Sequence, residues 1–196
     1  MIIAVTNIKG GLLRTTTSML LAESFRQLGY PVAVVDATLC NDCRTWAEEL
    51  PEIPVHSVRL PAHMEMAPNQ IAEFVDLVSS VHKNLGEEGI VVIDTNSHDR
   101  RIIELVNQVA SHVLVPADDA PASTQPTLAT IAATTAPLTV FSSALGSNLP
   151  HEVIAAVKNA GGHVASSTIS YAWDEKFDPR VVMPEYINLA RELAAV

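Results

Sequence analysis

Three observations place this chain in the α/β class, with a mostly parallel, twisted sheet covered by helices on both faces. Short apolar runs recur at residues 2–6, 32–35 and 90–93, without the polar alternation of a strand that faces water. Such runs mark strands buried on both sides of a parallel sheet. Helix-patterned segments separate them, so the chain reads as a series of βαβ crossovers. Two of the runs end in an acid, Asp36 and Asp94, at the strand ends where open α/β sheets place their ligands.

The first strand is the β-branched run Ile2, Ile3, Val5 and Thr6, followed by Lys9, Gly10 and Gly11. Thr15, Thr16 and Thr17 can cap a helix expected over 15–28, which Gly29 closes as a C′ glycine. Strand, glycine turn and helix N-terminus form the layout of a phosphate-binding loop, in which backbone N–H groups and the helix dipole face an anion. Pro31 restarts the chain into the run Val32 to Val35 and Asp36. A short strand is expected over 55–60. Ile71, Phe74, Val75, Val78 and Val81 then share one helical face, closed by Gly86 and Gly89. The run Ile90 to Ile93 ends in Asp94-Thr95, the Walker B arrangement of a strand carrying a carboxylate toward magnesium.

Beyond it, a helix is expected over 101–109, a strand over 111–116 and an alanine- and threonine-rich helix over 121–135. A strand over 137–142, a helix over 150–160, a strand over 163–169 and a closing helix over 184–195 complete the pattern. Glycines and prolines punctuate elements, with no linker or internal repeat. At 196 residues the chain is expected to form a single domain, 1–196.

Composition narrows the function. A net charge of -10, with Arg100-Arg101 as the only adjacent basic pair, argues against a standing grip on nucleic acid, which needs clustered cations. No apolar run approaches the roughly 20 residues of a spanning helix and no signal peptide precedes the first strand, so a cytoplasmic protein with no membrane partner is expected. Cys40 and Cys43 form one C-x-x-C. A dithiol or half a metal site is one reading and a reduced structural pair the other; a second C-x-x-C is lacking, and His56 and His63 are too far apart for the usual partner spacing.

The order Asn7-x-Lys9-Gly10-Gly11-Leu12-Leu13-Arg14-Thr15-Thr16 resembles the ParA/MinD family of deviant Walker A ATPases, whose loop reads K-G-G-x-G-K-T-T. Small ParA-type partition proteins are the nearer likeness. Thr45-Trp46-Ala47 is similar to their D-W-A, Asp94-Thr95 to their I-I-D-T-P-P, and 111–116 to their D-x-V-L-I-P-V strand. The resemblance is good through Pro116 and thin after it. It implies ATP and magnesium bound at Lys9, Gly10, Gly11, Leu12, Leu13, Arg14, Thr15 and Thr16. Lys9 would reach a partner's phosphates, Thr15 and Asp94 would hold the metal, and Asp36 would support its shell. An ATP-dependent homodimer, a DNA-bound adaptor, non-specific DNA and a role in plasmid or chromosome segregation are implied likewise.

Three departures bear on turnover. Leu13 stands for a glycine, whose lack of Cβ lets backbone take positive φ close to phosphate. Arg14 stands for the phosphate lysine, a planar fork for a point charge. Thr38 stands for the second acid of D-x-D-P-Q. Weak or absent hydrolysis is therefore expected, and the alternative is a non-hydrolysing relative that serves as a protein-binding scaffold. A MinD-like membrane-cycling role would need a basic amphipathic tail, which Leu189 to Val196 does not provide.

Overall fold

The computed structural model describes residues 1–60, 66–96, 100–143, 148–170 and 178–195. His63, weighed above, lies outside the described residues. Strands and helices alternate along it in the order β1 (Ile2–Val5), α1 (Arg14–Gln27), β2 (Val32–Ala37), α2 (Cys43–Glu49), β3 (Val55–Ser57), α3 (Pro68–Leu85) and β4 (Ile90–Thr95). The second half adds α4 (Arg100–Val106), β5 (His112–Ala117), α5 (Pro121–Ala133), β6 (Leu138–Ser142), α6 (His151–Asn159), β7 (His163–Thr168) and α7 (Pro179–Ala194).

All seven strands join one parallel sheet in the order β3-β2-β4-β1-β5-β6-β7. The expected fold class is the one observed. β2, β4 and β5 are buried from end to end, as continuous apolar runs require. Their side chains alternate between two separate cores. Ala4, Val35, Ile93 and Val113 face a core shared with Phe74 and Val78 of α3, Ile102 and Val106 of α4, and Val153 and Val157 of α6. Ile3, Val5, Val34, Val92 and Leu114 face the other, with Leu21 and Phe25 of α1 and Tyr186 and Leu189 of α7. The period of two in a strand thus feeds both layers.

The main boundary corrections have local causes. The strand expected over 55–60 ends at Ser57, although Val58 still bonds back to Asp36 O. The last helix begins five residues before Pro184, because Asp178 caps it through Arg180 N and a proline opens its first turn. Gly29, at φ 92°, closes α1 as expected. The threonines do not cap that helix: Leu13 holds the N-cap position and Thr15 to Thr17 lie inside.

The register sets the site. Val5 pairs with Asp94 and Asp94 with Asp36, so the ends of β1, β4 and β2 lie side by side beneath the glycine loop. β1 has β4 on one side and β5 on the other; the chain leaves β1 toward β2 on one side and leaves β4 toward β5 on the other, which is where doubly wound sheets open a crevice.

Candidate functional site

The loop from β1 to α1 is anchored by Asn7, which is buried. Its amide donates to Pro116 O and Thr127 Oγ1, and its carbonyl oxygen accepts from Lys9 N and Thr130 Oγ1. Ile8 N donates to the same Thr130 hydroxyl. β5 and α5 therefore fix the start of the loop. Gly11 follows at φ 78°, then Leu13 at φ 56° and ψ 31°, and the helix begins at Arg14. Glycine reaches such φ at no steric cost, whereas Leu13 adopts it against its own Cβ. The loop takes the left-handed turn with the unfavourable residue in place. Residues 11–16 line a cleft of about 240 Å³ at the start of α1, where the first-turn N–H groups have no helical acceptor.

Arg14 turns back under the loop. Its Nη1 donates to Lys9 O at 2.7 Å and Asn7 O at 3.3 Å, and its Nε to Thr95 O at 3.1 Å. The guanidinium thus ties loop and β4 together from within, and a lysine has no planar fork for that task. Burial lowers its pKa, with Asp94 and Asp42 opposing the shift. Lys9 Nζ donates to the neighbouring Gly10 O at 2.8 Å, so its ammonium rests on the loop itself.

Asp94 has no exposed surface. Thr15 Oγ1 donates to its Oδ2 at 2.7 Å, Ser18 Oγ to its Oδ1 at 3.2 Å and Cys43 Sγ to its Oδ2 at 3.4 Å. Burial pushes its pKa up to about 6, with Asp36 adding to the rise while Thr15 and Arg14 work against it. Asp36, also fully buried, accepts from Thr38 N and Thr38 Oγ1 with one oxygen and from Cys43 N with the other. It caps α2 from the end of β2. Thr38, 2% exposed, spends its hydroxyl on Asp36 and on Asp42 N. Its proton is committed to Asp36 and one of its lone pairs to Asp42 N.

The structure brings Thr15, Asp94 and Asp36 together and holds Arg14 against the same loop. Lys9 stays apart from the acids. Sequence reasoning missed Ser18, although it lies one turn after Thr15 on the same helix face. It also missed Asn7 and Thr130 as anchors, since pairing across more than a hundred residues leaves no local signal. Cys40 and Cys43 are both free: Cys40 is exposed, while Cys43 is buried as the first residue of α2 with its thiol against Asp94. Burial and both neighbouring carboxylates push the Cys43 pKa far up, so it stays a thiol. Among the described residues, no helix is long and apolar enough to cross a membrane.

No protein-family model matches the chain, and no curated protein matches its sequence. Solved structures do match its fold. The MinC:MinD cell division protein complex of Aquifex aeolicus superposes with a TM-score of 0.67 at 16% identity, over 100% of this chain and 96% of that one. A plasmid partition protein from Borrelia burgdorferi gives 0.60 at 13% identity, over 99% and 97%. The ParA of pNOB8, solved bound to nonspecific DNA, gives 0.58 at 13% identity, over 99% and 97%. At these identities the likeness is one of architecture: the chain has the α/β P-loop NTPase-like fold, with MinD and ParA-type partition proteins among its structural neighbours.

Proposed function

We propose that this chain is a ParA-like protein that binds ATP and magnesium at the loop of Lys9 to Thr16 and hydrolyses ATP weakly or not at all. The observation that carries the reading is the 2.7 Å contact between Thr15 and the buried Asp94 beneath that loop. A hydroxyl and a carboxylate on neighbouring elements are the donor set of a magnesium site beside phosphate. The residues fit the group on a second count. A fully buried carboxylate whose pKa is raised by burial gains from a nearby cation.

In this reading Thr15 and Asp94 hold the metal and Asp36 supports its shell. Magnesium, when bound, neutralises phosphate charge. The first-turn N–H groups of α1 and the Gly10-Gly11 backbone receive the phosphates, and Leu12, Leu13 and Thr16 shape the cleft around them. Arg14 supplies positive charge from below. In this reading Lys9 would leave Gly10 O and reach the phosphates of a second copy across an ATP-dependent dimer. Hydrolysis is weak because Thr38 is neutral and its hydroxyl is already bonded, which removes a contribution of about 10²–10⁴ in rate. A single domain over 1–196, working in the cytoplasm on plasmid or chromosome segregation with a DNA-bound adaptor, completes the proposal. The net charge of -10 confines any contact with DNA to a local patch.

The scaffold reading draws on one observation. Arg14 spends its fork on three carbonyls, so the loop holds its shape with no ligand. Calorimetric titration with ATP and magnesium, run beside a phosphate-release assay, separates the two. Binding with little release is expected. An absence of binding overturns the ATP reading and leaves the scaffold; release at the pace of intact relatives overturns the account of Thr38.

A further inference from the structure

Beside the loop lies a cluster that adds a thiol, Cys43, to the two acids of the proposed magnesium site. Cys43 Sγ, a carboxylate oxygen of Asp36 and one of Asp94 all lie within 4.8 Å of one another, and all three residues are buried. We propose that these three side chains form a site for a thiophilic divalent cation of the zinc class, with Cys43 as its sulfur ligand.

The geometry supports a shared ion. A tetrahedral zinc-class ion bound to thiolate at ~2.3 Å and carboxylate at ~2.1 Å holds those two atoms about 3.6 Å apart. Cys43 Sγ and Asp94 Oδ2 are 3.4 Å apart. Asp36 is positioned by its bonds to Thr38 and Cys43 N, and that backbone N–H draws the first turn of α2, with its cysteine, onto the acids. Thr15 Oγ1 is bonded to the same Asp94 oxygen.

The charge balance is an independent indication. Asp36 and Asp94 are both fully buried, and among the described residues neither lies within 4.0 Å of a cationic group. Arg14, whose charge acts on Asp94, gives its hydrogen bonds to carbonyls. Buried charges are ordinarily paired or coordinate a metal. Two residues before Cys43, Asn41 Oδ1 is also buried without a hydrogen-bond partner.

Sulfur decides the class of ion. Magnesium and calcium prefer oxygen, whereas a thiol among carboxylates suits zinc or cobalt. Binding replaces the S–H bond with a sulfur–metal bond and releases the proton to solvent, with no change of oxidation state. Cys40, exposed and outside the cluster, takes no part. The site stands on its own residues and does not depend on ATP being a ligand.

The test uses the reduced full chain without nucleotide, titrated with cobalt(II) as a coloured stand-in and then with zinc. One equivalent is expected to give a near-ultraviolet thiolate-to-cobalt band that zinc removes. Because the chain has only two cysteines, Cys40→Ser leaves Cys43 as the sole thiol, and the band should persist. Cys43→Ser should abolish it and weaken zinc binding at least tenfold, since even outer-shell changes cost 10–100-fold. A wild-type or Cys40→Ser protein with no band at saturating cobalt overturns the proposal, as does a band that survives Cys43→Ser. Since Cys40→Ser decides the matter, a failure of Cys43→Ser to fold leaves the test intact. Failure of ATP to bind would not move the cobalt signal.

Discussion

Leu13 holds φ 56° at the N-cap of α1, where glycine would be unstrained. The left-handed region costs an L-residue about 1–2 kcal/mol, while glycine loses about 0.5–1 kcal/mol more in chain entropy on folding. The two nearly cancel. Leu13→Gly is expected to change stability in urea unfolding by less than about 1 kcal/mol. Its effect belongs to binding: with Arg14→Lys it should tighten ATP measurably by calorimetry, because the backbone can approach phosphate more closely. Unchanged affinity would remove the loop as a nucleotide site. Arg14→Lys alone should cost about 1–2 kcal/mol of stability, since one ammonium cannot replace the fork's bonds to three carbonyls. Thr38→Asp is expected to fail as a repair. It sets a second carboxylate against buried Asp36, at a cost on the order of 3 kcal/mol, and phosphate release should not rise.

Asp94 also carries a pH signature. Its folded pKa of about 6 lies above the ordinary aspartate value of 3.8, so the folded state binds its proton more tightly than the unfolded state does. Its contribution to stability is therefore present below about pH 4 and is lost as pH rises through 6. Urea midpoints should show this fall between pH 4 and 6, and Asp94→Asn should flatten it. A slope unchanged in the variant would show that another group titrates.

Among the elements, α7 is held by contacts that its own sequence pattern does not announce. Tyr186 OH lies 3.0 Å from Thr17 Oγ1, joining α7 to α1 inside the core. Tyr186→Phe should cost about 1 kcal/mol, the usual net value of one buried hydrogen bond. On the other side, Glu192 accepts from the backbone N–H and the hydroxyl of both Ser166 and Ser167. These two residues lie where β7 carries extra residues against β6, between its pairings to Val140 and Ser142. The carboxylate thus satisfies donors that the sheet ladder leaves over. Burial works to raise the Glu192 pKa, but the hydrogen bonds from Ser167 and Ser166 outweigh it and hold it at about 2. This depressed acid stabilises the fold above pH 4.5 and loses its effect as pH falls toward 2. Glu192→Gln should therefore weaken the protein at neutral pH and reduce its acid sensitivity, as read by thermal melts at pH 7 and pH 3.

At the scale of the whole molecule, one sheet separates two cores and delivers three strand ends to one edge. The order β2-β4-β1 places Asp36, Asp94 and the loop after Val5 side by side, although the two acids are 58 positions apart. That convergence underlies both the proposed magnesium site and the proposed thiol-bearing one. The two proposals share Asp36 and Asp94, and the second is set apart by the thiol of Cys43.

The sequence by itself determined the fold class, the number and order of most elements, and the strand ends that carry chemistry. Those features rest on local signals: apolar runs for doubly buried strands, and glycine or proline at their limits. It also identified Leu13, Arg14 and Thr38 as the residues at odds with an ordinary phosphate loop. Only tertiary structure decided what those residues do. Leu13 accepts the left-handed turn because Asn7, Thr127 and Thr130 fix the loop ahead of it. Arg14 becomes a clamp because the carbonyls of Asn7, Lys9 and Thr95 converge on it. Cys43, in the sequence half of an undistinguished pair, meets Asp94 only because β2 and β4 are neighbours in the sheet. Periodicity reports which face of an element is buried; which residues from distant elements meet there is set by strand order and register, and these have no local code.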